Sequence, residues 1–456
     1  MWEFCFLFFK YSLHFAHSRY IIYPFETILN FYKGDAWSVG VIKERLVYLL
    51  SLLKWILLAL VVGFLGGVLG FLFLEVFHAA VHAFGSHPWL LFLLPVAGLL
   101  IVFLYHITRR DSDHGTNDMI TSVQSGYKIS AWVMPLMVVS TALTHLCGGS
   151  AGKEGAALQL GGSLGCSTAR LLRMDADWQK TMTLCGMAAV FAAVFGTPLT
   201  ASIFVLEFIS VGVVLSSAFP ATLLSAFAAL STAKLLGVEV EHYPTLSLPS
   251  LDAKTFLLVL LLGLAAGLVS VLFCLMLHGS EHFLGHFLKN KYLRILVGGI
   301  LVILLTLLVG NRDLNGSGQE MIFHVLEGGS ILPIFFLLKM LFTSLSIGSG
   351  YKGGEIVPTL CVGATLGATL GPILGVDPVF AAACCMLGLF CGVTNCVIAS
   401  ILLGAELFGF DGILFFALVC GISYAVSGNH SLYHTQTALF SKASAKIVDI
   451  FNRISD

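Results

Sequence analysis

Charged side chains are scarce in this chain: Asp, Glu, Lys and Arg make up only 11% of its 456 residues, about half the share carried by a water-soluble globule. With 57% hydrophobic residues, that scarcity excludes a soluble protein and indicates a polytopic membrane protein. An excess of one charge sign is also missing. The net charge of -1 gives no reason to expect nucleic acid or another polyanion as a partner. No CxxC pair occurs among the eleven cysteines. They scatter through apolar runs (Cys147, Cys166, Cys274, Cys361, Cys384, Cys385, Cys391, Cys396) and read as small buried hydrophobes, so neither zinc, any other cofactor, nor disulfides are expected. HExxH is absent too. In EVFHAAVH, Glu75 precedes His78 by three residues and stands on the wrong side for a metalloprotease, which argues against an intramembrane enzyme. Residues 1–46 lack the basic start, clean apolar centre and small-residue cleavage site of a signal peptide, and Glu3, Lys10, Arg19 and Glu26 interrupt them. They read as an N-terminal extension of unknown role. Only twenty-three residues follow Tyr433, so neither a soluble regulatory domain nor nucleotide control is expected.

Glycine (47) and phenylalanine (36) are abundant. Trp55 to Leu74 is a run of twenty uncharged residues, long enough to cross a bilayer at about 1.5 Å per residue. Further apolar runs cover 89–105, 129–149, 182–230, 255–279, 295–309, 331–349, 356–376, 378–405 and 412–427. Several are too short, too long or too interrupted by Gly and Pro for plain spans, which predicts broken helices.

The stretch GGSAGKEGAALQLGGSLG, residues 148–165, places Lys153 and Glu154 within an otherwise apolar, glycine-dense segment. An ionisable group within a membrane span is costly and marks an ion or substrate path by default. The chain also repeats itself. Gly63, Gly67, Leu72, Phe73, His78 and His82 recur as Gly263, Gly267, Leu272, Phe273, His278 and His282, and Gly152, Gly161, Leu164 and Gly165 recur as Gly354, Gly363, Leu366 and Gly367. The second copy, GGEIVP, again sets a carboxylate, Glu355, among glycines at the start of an apolar run. Two homologous halves, 47–240 and 241–456, each with an interrupted helix in the same place, predict a transporter whose site lies where the halves meet. A helix that begins within the bilayer leaves its first N–H groups unsatisfied and carries about half a positive charge there, so it attracts an anion. A glutamate at such a start serves as that anion while ionised and surrenders the place on protonation. The four-residue glycine spacings read as close helix packing.

GKEGAALQLGG (152–162) resembles the GREGP segment of the CLC chloride channel and transporter family, GGEIVP (353–358) its GxFxP segment, and SLYHTQ (431–436) its last helix. The resemblance covers roughly residues 47–456. It implies an all-α, internally repeated CLC-type bundle of interrupted helices that acts as a multi-pass homodimer in the cell membrane with one pore per subunit. It also implies Glu154 as the external gating glutamate and Tyr433 as the ion-coordinating tyrosine. The departures shift the expected ion. Glu355 stands where that segment normally has an apolar residue, and Ile356 replaces its phenylalanine, as in the GGEVTP-type segment of the fluoride-exporting branch. His114-Gly115-Thr116-Asn117-Asp118 stands in for GSGIP without the serine and proline that favour chloride. TPLTASIFVLEFI has Glu207 at the family's first glutamate but Phe208 where chloride antiporters have their internal proton-relay glutamate.

The residues expected to line the anion path are therefore Gly115, Thr116 and Asn117; Gly152, Lys153 and Gly155; Gly354, Ile356 and Val357; and Tyr433, with Glu154 and Glu355 coupling anion to proton. Plainer roles stand beside these: Glu154 pairing with Lys153, Glu355 neutralising Lys153 or Lys352, and Tyr433 anchoring at the interface. His78/His82 and His278/His282, at i and i+4, have the spacing of a metal site, but their symmetry and the absence of HExxH favour paired helix-end histidines. The expected function is proton-coupled fluoride export. The alternative is a chloride channel or chloride/proton exchanger of the same fold.

Overall fold

Some helices in this chain begin with a side-chain cap and others without one, and two of the uncapped starts meet at the candidate site. The computed structural model describes residues 39–111, 113–438 and Lys442. The chain falls into two units, Met1–Trp55 and Ile56–Asp456. In the first, the described residues are helical from Val39; most of the extension expected over 1–46 lies outside the described residues. Among the described residues the fold is all-α. Its sixteen α-helices are joined by turns, short 3-10 segments and loops, one of them running over 236–252, with one two-residue parallel strand pair, β1 (Ser210–Val211) and β2 (Thr437–Ala438).

The helices are α1 (Val39–Ser86), α2 (Leu94–Ile107), α3 (Thr116–Ser125), α4 (Val133–Leu146), α5 (Glu154–Leu171), α6 (Ala176–Phe195), α7 (Pro198–Glu207) and α8 (Phe219–Leu235). They continue as α9 (Ala253–Phe287), α10 (Lys291–Val309), α11 (Gln319–Leu326), α12 (Phe335–Ser349), α13 (Ile356–Leu374), α14 (Pro378–Thr394), α15 (Val397–Phe408) and α16 (Ile413–Val426). Among the described residues, six helical segments are long and apolar enough to cross a bilayer, including Ser51–Ser86, Ala253–Phe287 and Ile356–Leu374. The first is longer than the expected 55–74, because Glu75, His78 and His82 are compatible with helix and do not end it. The long runs are broken as anticipated. Residues 182–230 divide into α6, α7 and α8, and 378–405 divides at Asn395, which takes a left-handed φ of 61°. The described cysteines are all free and buried.

Several helices carry side-chain caps: Asp175 accepts from Trp178 N–H (2.9 Å), Asp252 from Thr255 N–H (2.7 Å) and Asn290 from Tyr292 N–H (2.9 Å). The short helices α7 and α15 cap one another. Glu207, the last residue of α7, accepts from Ile398 and Ala399 N–H at 3.1 and 2.9 Å, and Glu406 of α15 accepts from Leu199 and Thr200 N–H at 2.9 and 2.7 Å. Each carboxylate thus serves as the anion for the other's positive helix end. Helices α5 and α13 start without a side-chain cap, and their starts face each other.

Glycine lets the helix pairs behind those starts touch backbone to backbone. A Cβ on Gly161 would lie 2.1 Å from the Gly186 carbonyl of α6, and one on Gly165 2.0 Å from Met182 O. On α13 the equivalents are Gly363, 2.5 Å from Met386 Cα, and Gly367, 2.1 Å from Ala381 O. Gly165→Leu is therefore expected to destabilise the protein by about 1–3 kcal/mol through overpacking. Gly421→Ala, with open space around it in α16, should be neutral or gain about 0.5–1 kcal/mol. Thermal unfolding in detergent checks both.

Candidate functional site

The two uncapped starts are joined by an isolated antiparallel bridge: Gly152 N–H donates to Gly354 O at 2.6 Å, and Gly354 N–H donates to Gly152 O at 2.7 Å. Bulk is excluded here. A Cβ on Gly155 would stand 2.8 Å from Gly354 Cα, and one on Gly152 would stand 2.6 Å from Glu154 Oε2. The bridge brings together Gly152, Gly155 and Gly354 and, through them, Glu154 and Glu355.

Glu154 is fully buried. Its Oε2 accepts from Lys153 N–H at 3.0 Å, Val357 N–H of the opposing helix faces the carboxylate, and Oε1 has no partner. The side chain therefore lies at the meeting of the two helix starts. Ile356 and Val357, the first two residues of α13, are buried. Glu355 caps α13 by position but makes no capping hydrogen bond, and it is half-buried.

Neither lysine makes an ion pair with these glutamates. Lys153 lies 3.7 Å from Glu241 and against the Phe77 ring, and Lys352 lies 3.7 Å from the buried Asp113 and against the Tyr105 ring. The pairing of Glu154 with Lys153, and of Glu355 with either lysine, is thus replaced by contacts to Glu241 and Asp113.

Helix α3 begins at Gly115, with φ 66°, and this start is already partly satisfied. Gly115 N–H donates to Asp113 at 3.0 Å, and Asn117 Oδ1 accepts from Thr435 N–H and Oγ1 at 3.2 and 3.0 Å. Thr116 is buried. The link to Thr435 holds this start two residues from Tyr433. Tyr433 is itself buried, with its ring edge-on to Phe208 at 5.7 Å. Phe208 also stacks on Phe204 at 5.1 Å, so the position expected to lack a relay carboxylate is filled by an aromatic column.

Sequence reasoning missed some residues of this region. Asp113 was signalled by Asp-x-Gly, the pattern of a side chain that turns onto its own backbone two residues on. Gln159, one turn along α5, is buried beside Gly115 with an unpartnered Oε1. Lys339 stands alone in the 331–349 run, a signal that went unread. It is fully buried and donates to Ser150 Oγ, Leu314 O and Gly316 O at 3.1, 3.0 and 2.8 Å.

The family model described as Voltage gated chloride channel matches residues 97–428. A curated relative from Pseudomonas syringae pv. tomato, named Chloride/fluoride channel protein, is 32% identical over 406 residues, covering 88% of this chain and 90% of that protein. The voltage-gated ClC-type chloride channel ClcB of Salmonella typhimurium is 26% identical over 298 residues, 64% of this chain and 71% of the relative. Among solved structures, a CLC-type fluoride/proton antiporter superposes with a TM-score of 0.83 at 32% identity, covering 85% of this chain and 98% of that one. A slow cyanobacterial chloride/proton antiporter shares the fold at a TM-score of 0.72 and 20% identity, over 82% and 94% of the two chains. The fold is that of a polytopic membrane anion channel or transporter. The chain belongs to the CLC family.

Lys352 and Asp113 are both largely buried. Lys352→Met strands a buried carboxylate and is expected to cost about 3–5 kcal/mol; adding Asp113→Asn should recover much of it. Thermal unfolding of the single and double variants gives the coupling.

Proposed function

We propose that this chain is a proton-coupled fluoride exporter, in which fluoride leaves the cell as protons enter. It acts as a multi-pass homodimer in the cell membrane with one path per subunit. The observation that carries this reading is the pair of carboxylates, Glu154 and Glu355, at two uncapped helix starts held together by the Gly152–Gly354 bridge. The relatives named for fluoride support it, since they match 85% or more of this chain at 32% identity.

Fluoride is small and strongly hydrated, so its site must replace water with close, directional donors. The first N–H groups of α5 and α13 are such donors, and the ionised Glu154 carboxylate competes for the same place. Protonation removes its charge, the side chain leaves, and fluoride enters. Its return in the ionised form expels the ion, so anion and proton occupy the path in alternation. Glu355, when protonated, adds an O–H donor to fluoride, which an apolar residue at this position does not. Phe208 on Tyr433 supports a proton route different from that of chloride antiporters, because a phenyl ring carries no proton.

Anion efflux from proteoliposomes, with and without a pH gradient, tests the reading. Fluoride is expected to move faster than chloride and to drive opposing proton flux, and Glu154→Ala should abolish the proton flux. Glu355→Val should lower fluoride preference by roughly tenfold or more, the value of a lost hydrogen bond to a charged group (~1.5–3 kcal/mol). Chloride flux equal to or faster than fluoride, or intact proton movement in Glu154→Ala, would leave the chloride reading in its place.

A further inference from the structure

Lys153, the residue before Glu154, is a buried cation whose partner reaches water. Its side chain is 5% exposed, and the carboxylate paired with it at 3.7 Å belongs to Glu241, whose side chain is 40% exposed. At that distance the contact is an ion pair without a hydrogen bond. On its other side the ammonium faces the Phe77 ring, 5.4 Å from the centroid. The second Glu241 oxygen accepts from Gln319 Nε2, at the start of α11. Lys153 meets Glu241 through its side chain and Glu154 through its backbone, where its N–H donates to Glu154 Oε2 at 3.0 Å.

The residues around Glu241 are anchored. Glu241 belongs to the loop between α8 and α9. Val240 fills the hollow over Gly196 at the end of α6, where a Cβ would lie 2.4 Å from Val240 Cγ1. Tyr243 packs on Phe323 of α11 and Phe408 of α15, with ring centroids 4.9 and 5.7 Å apart. The loop is thus seated on both sides of Glu241, and rotation of that one side chain is enough to carry the carboxylate from Lys153 into water. A buried lysine without a counter-charge is costly. Departure of Glu241 therefore leaves a place that another anion fills.

We infer that Glu241 is a tethered anion that controls release of the transported ion at Lys153. The ion that passes Glu154 takes the Lys153 ammonium as Glu241 turns to water, and the returning carboxylate displaces it. The inference rests on the proposed reading of the chain as a fluoride exporter. One negative charge replaces another, so Lys153 stays compensated throughout and the step needs no proton. Gln319 is a positioning residue: its amide holds the other Glu241 oxygen. Glu239, exposed two residues earlier in the same loop, has no part in it.

The test compares fluoride binding to the full chain, measured by calorimetry in detergent, with fluoride efflux from proteoliposomes, recorded by a fluoride electrode. Glu241→Gln removes the competitor for Lys153. It is expected to bind fluoride about fivefold more tightly, the scale of a partly exposed ion pair, and to release it more slowly. Glu241→Asp should move both values back toward wild type, and Glu239→Gln should match wild type. Adding Lys153→Gln to Glu241→Gln should cancel the tighter binding, because the recruiting cation is gone. A Glu241→Gln variant that binds fluoride no more tightly than wild type overturns the inference, since a carboxylate that only held the loop would weaken binding and efflux together. Tighter binding that persists in the double variant overturns it too. A wild type that binds and moves chloride but not fluoride refutes the fluoride reading instead, and the same comparison made with chloride then decides the role of Glu241.

Discussion

A bilayer offers no water to a broken helix, so each helix that starts at membrane depth must find partners for its first N–H groups within the protein. In this chain that constraint has two solutions. At α7 and α15 it is met permanently by Glu207 and Glu406, each accepting two N–H groups of the other's helix. At α5 and α13 a two-bond glycine bridge just ahead of the helices holds the starts together and one Glu154 oxygen accepts from Lys153 N–H, with Oε1 left unpartnered. The first arrangement is closed. The second keeps its positive helix ends available, and the proposed site rests on that difference.

Charge around the site is arranged so that the glutamates at the turns are not neutralised locally. Lys153 and Lys352 flank the two turns in sequence, yet they are drawn to Glu241 and Asp113 and to aromatic faces. Lys339 spends its three donors on two carbonyls and a hydroxyl. Glu154 is thus held by the Lys153 N–H, not by an ion pair. A group held this way is suited to change its charge and its position together.

Much of the architecture was legible in the chain. The broken runs and the glycines that mark the α5–α6 and α13–α14 contacts follow from local rules about which residues permit close backbone approach. The break at Asn395 was only partly legible, since it carries neither Gly nor Pro and depends on Asn tolerating a left-handed φ. The reciprocal capping of α7 and α15 was not legible at all. Each bond spans about two hundred residues, as from Glu207 to Ala399, and no local pattern encodes such a partner.

The sequence by itself determined that this is a repeated, glycine-rich membrane protein with carboxylates at two broken helix starts, because those features depend on composition, spacing and short-range backbone chemistry. Only the tertiary structure decided which partners the charges take: Glu241 for Lys153, Asp113 for Lys352, the ring of Phe208 for Tyr433, and Glu281 with His434. The physical reason is range. A turn is fixed by its own few residues, whereas a buried charge is satisfied by whichever group the packed helices bring within about 4 Å.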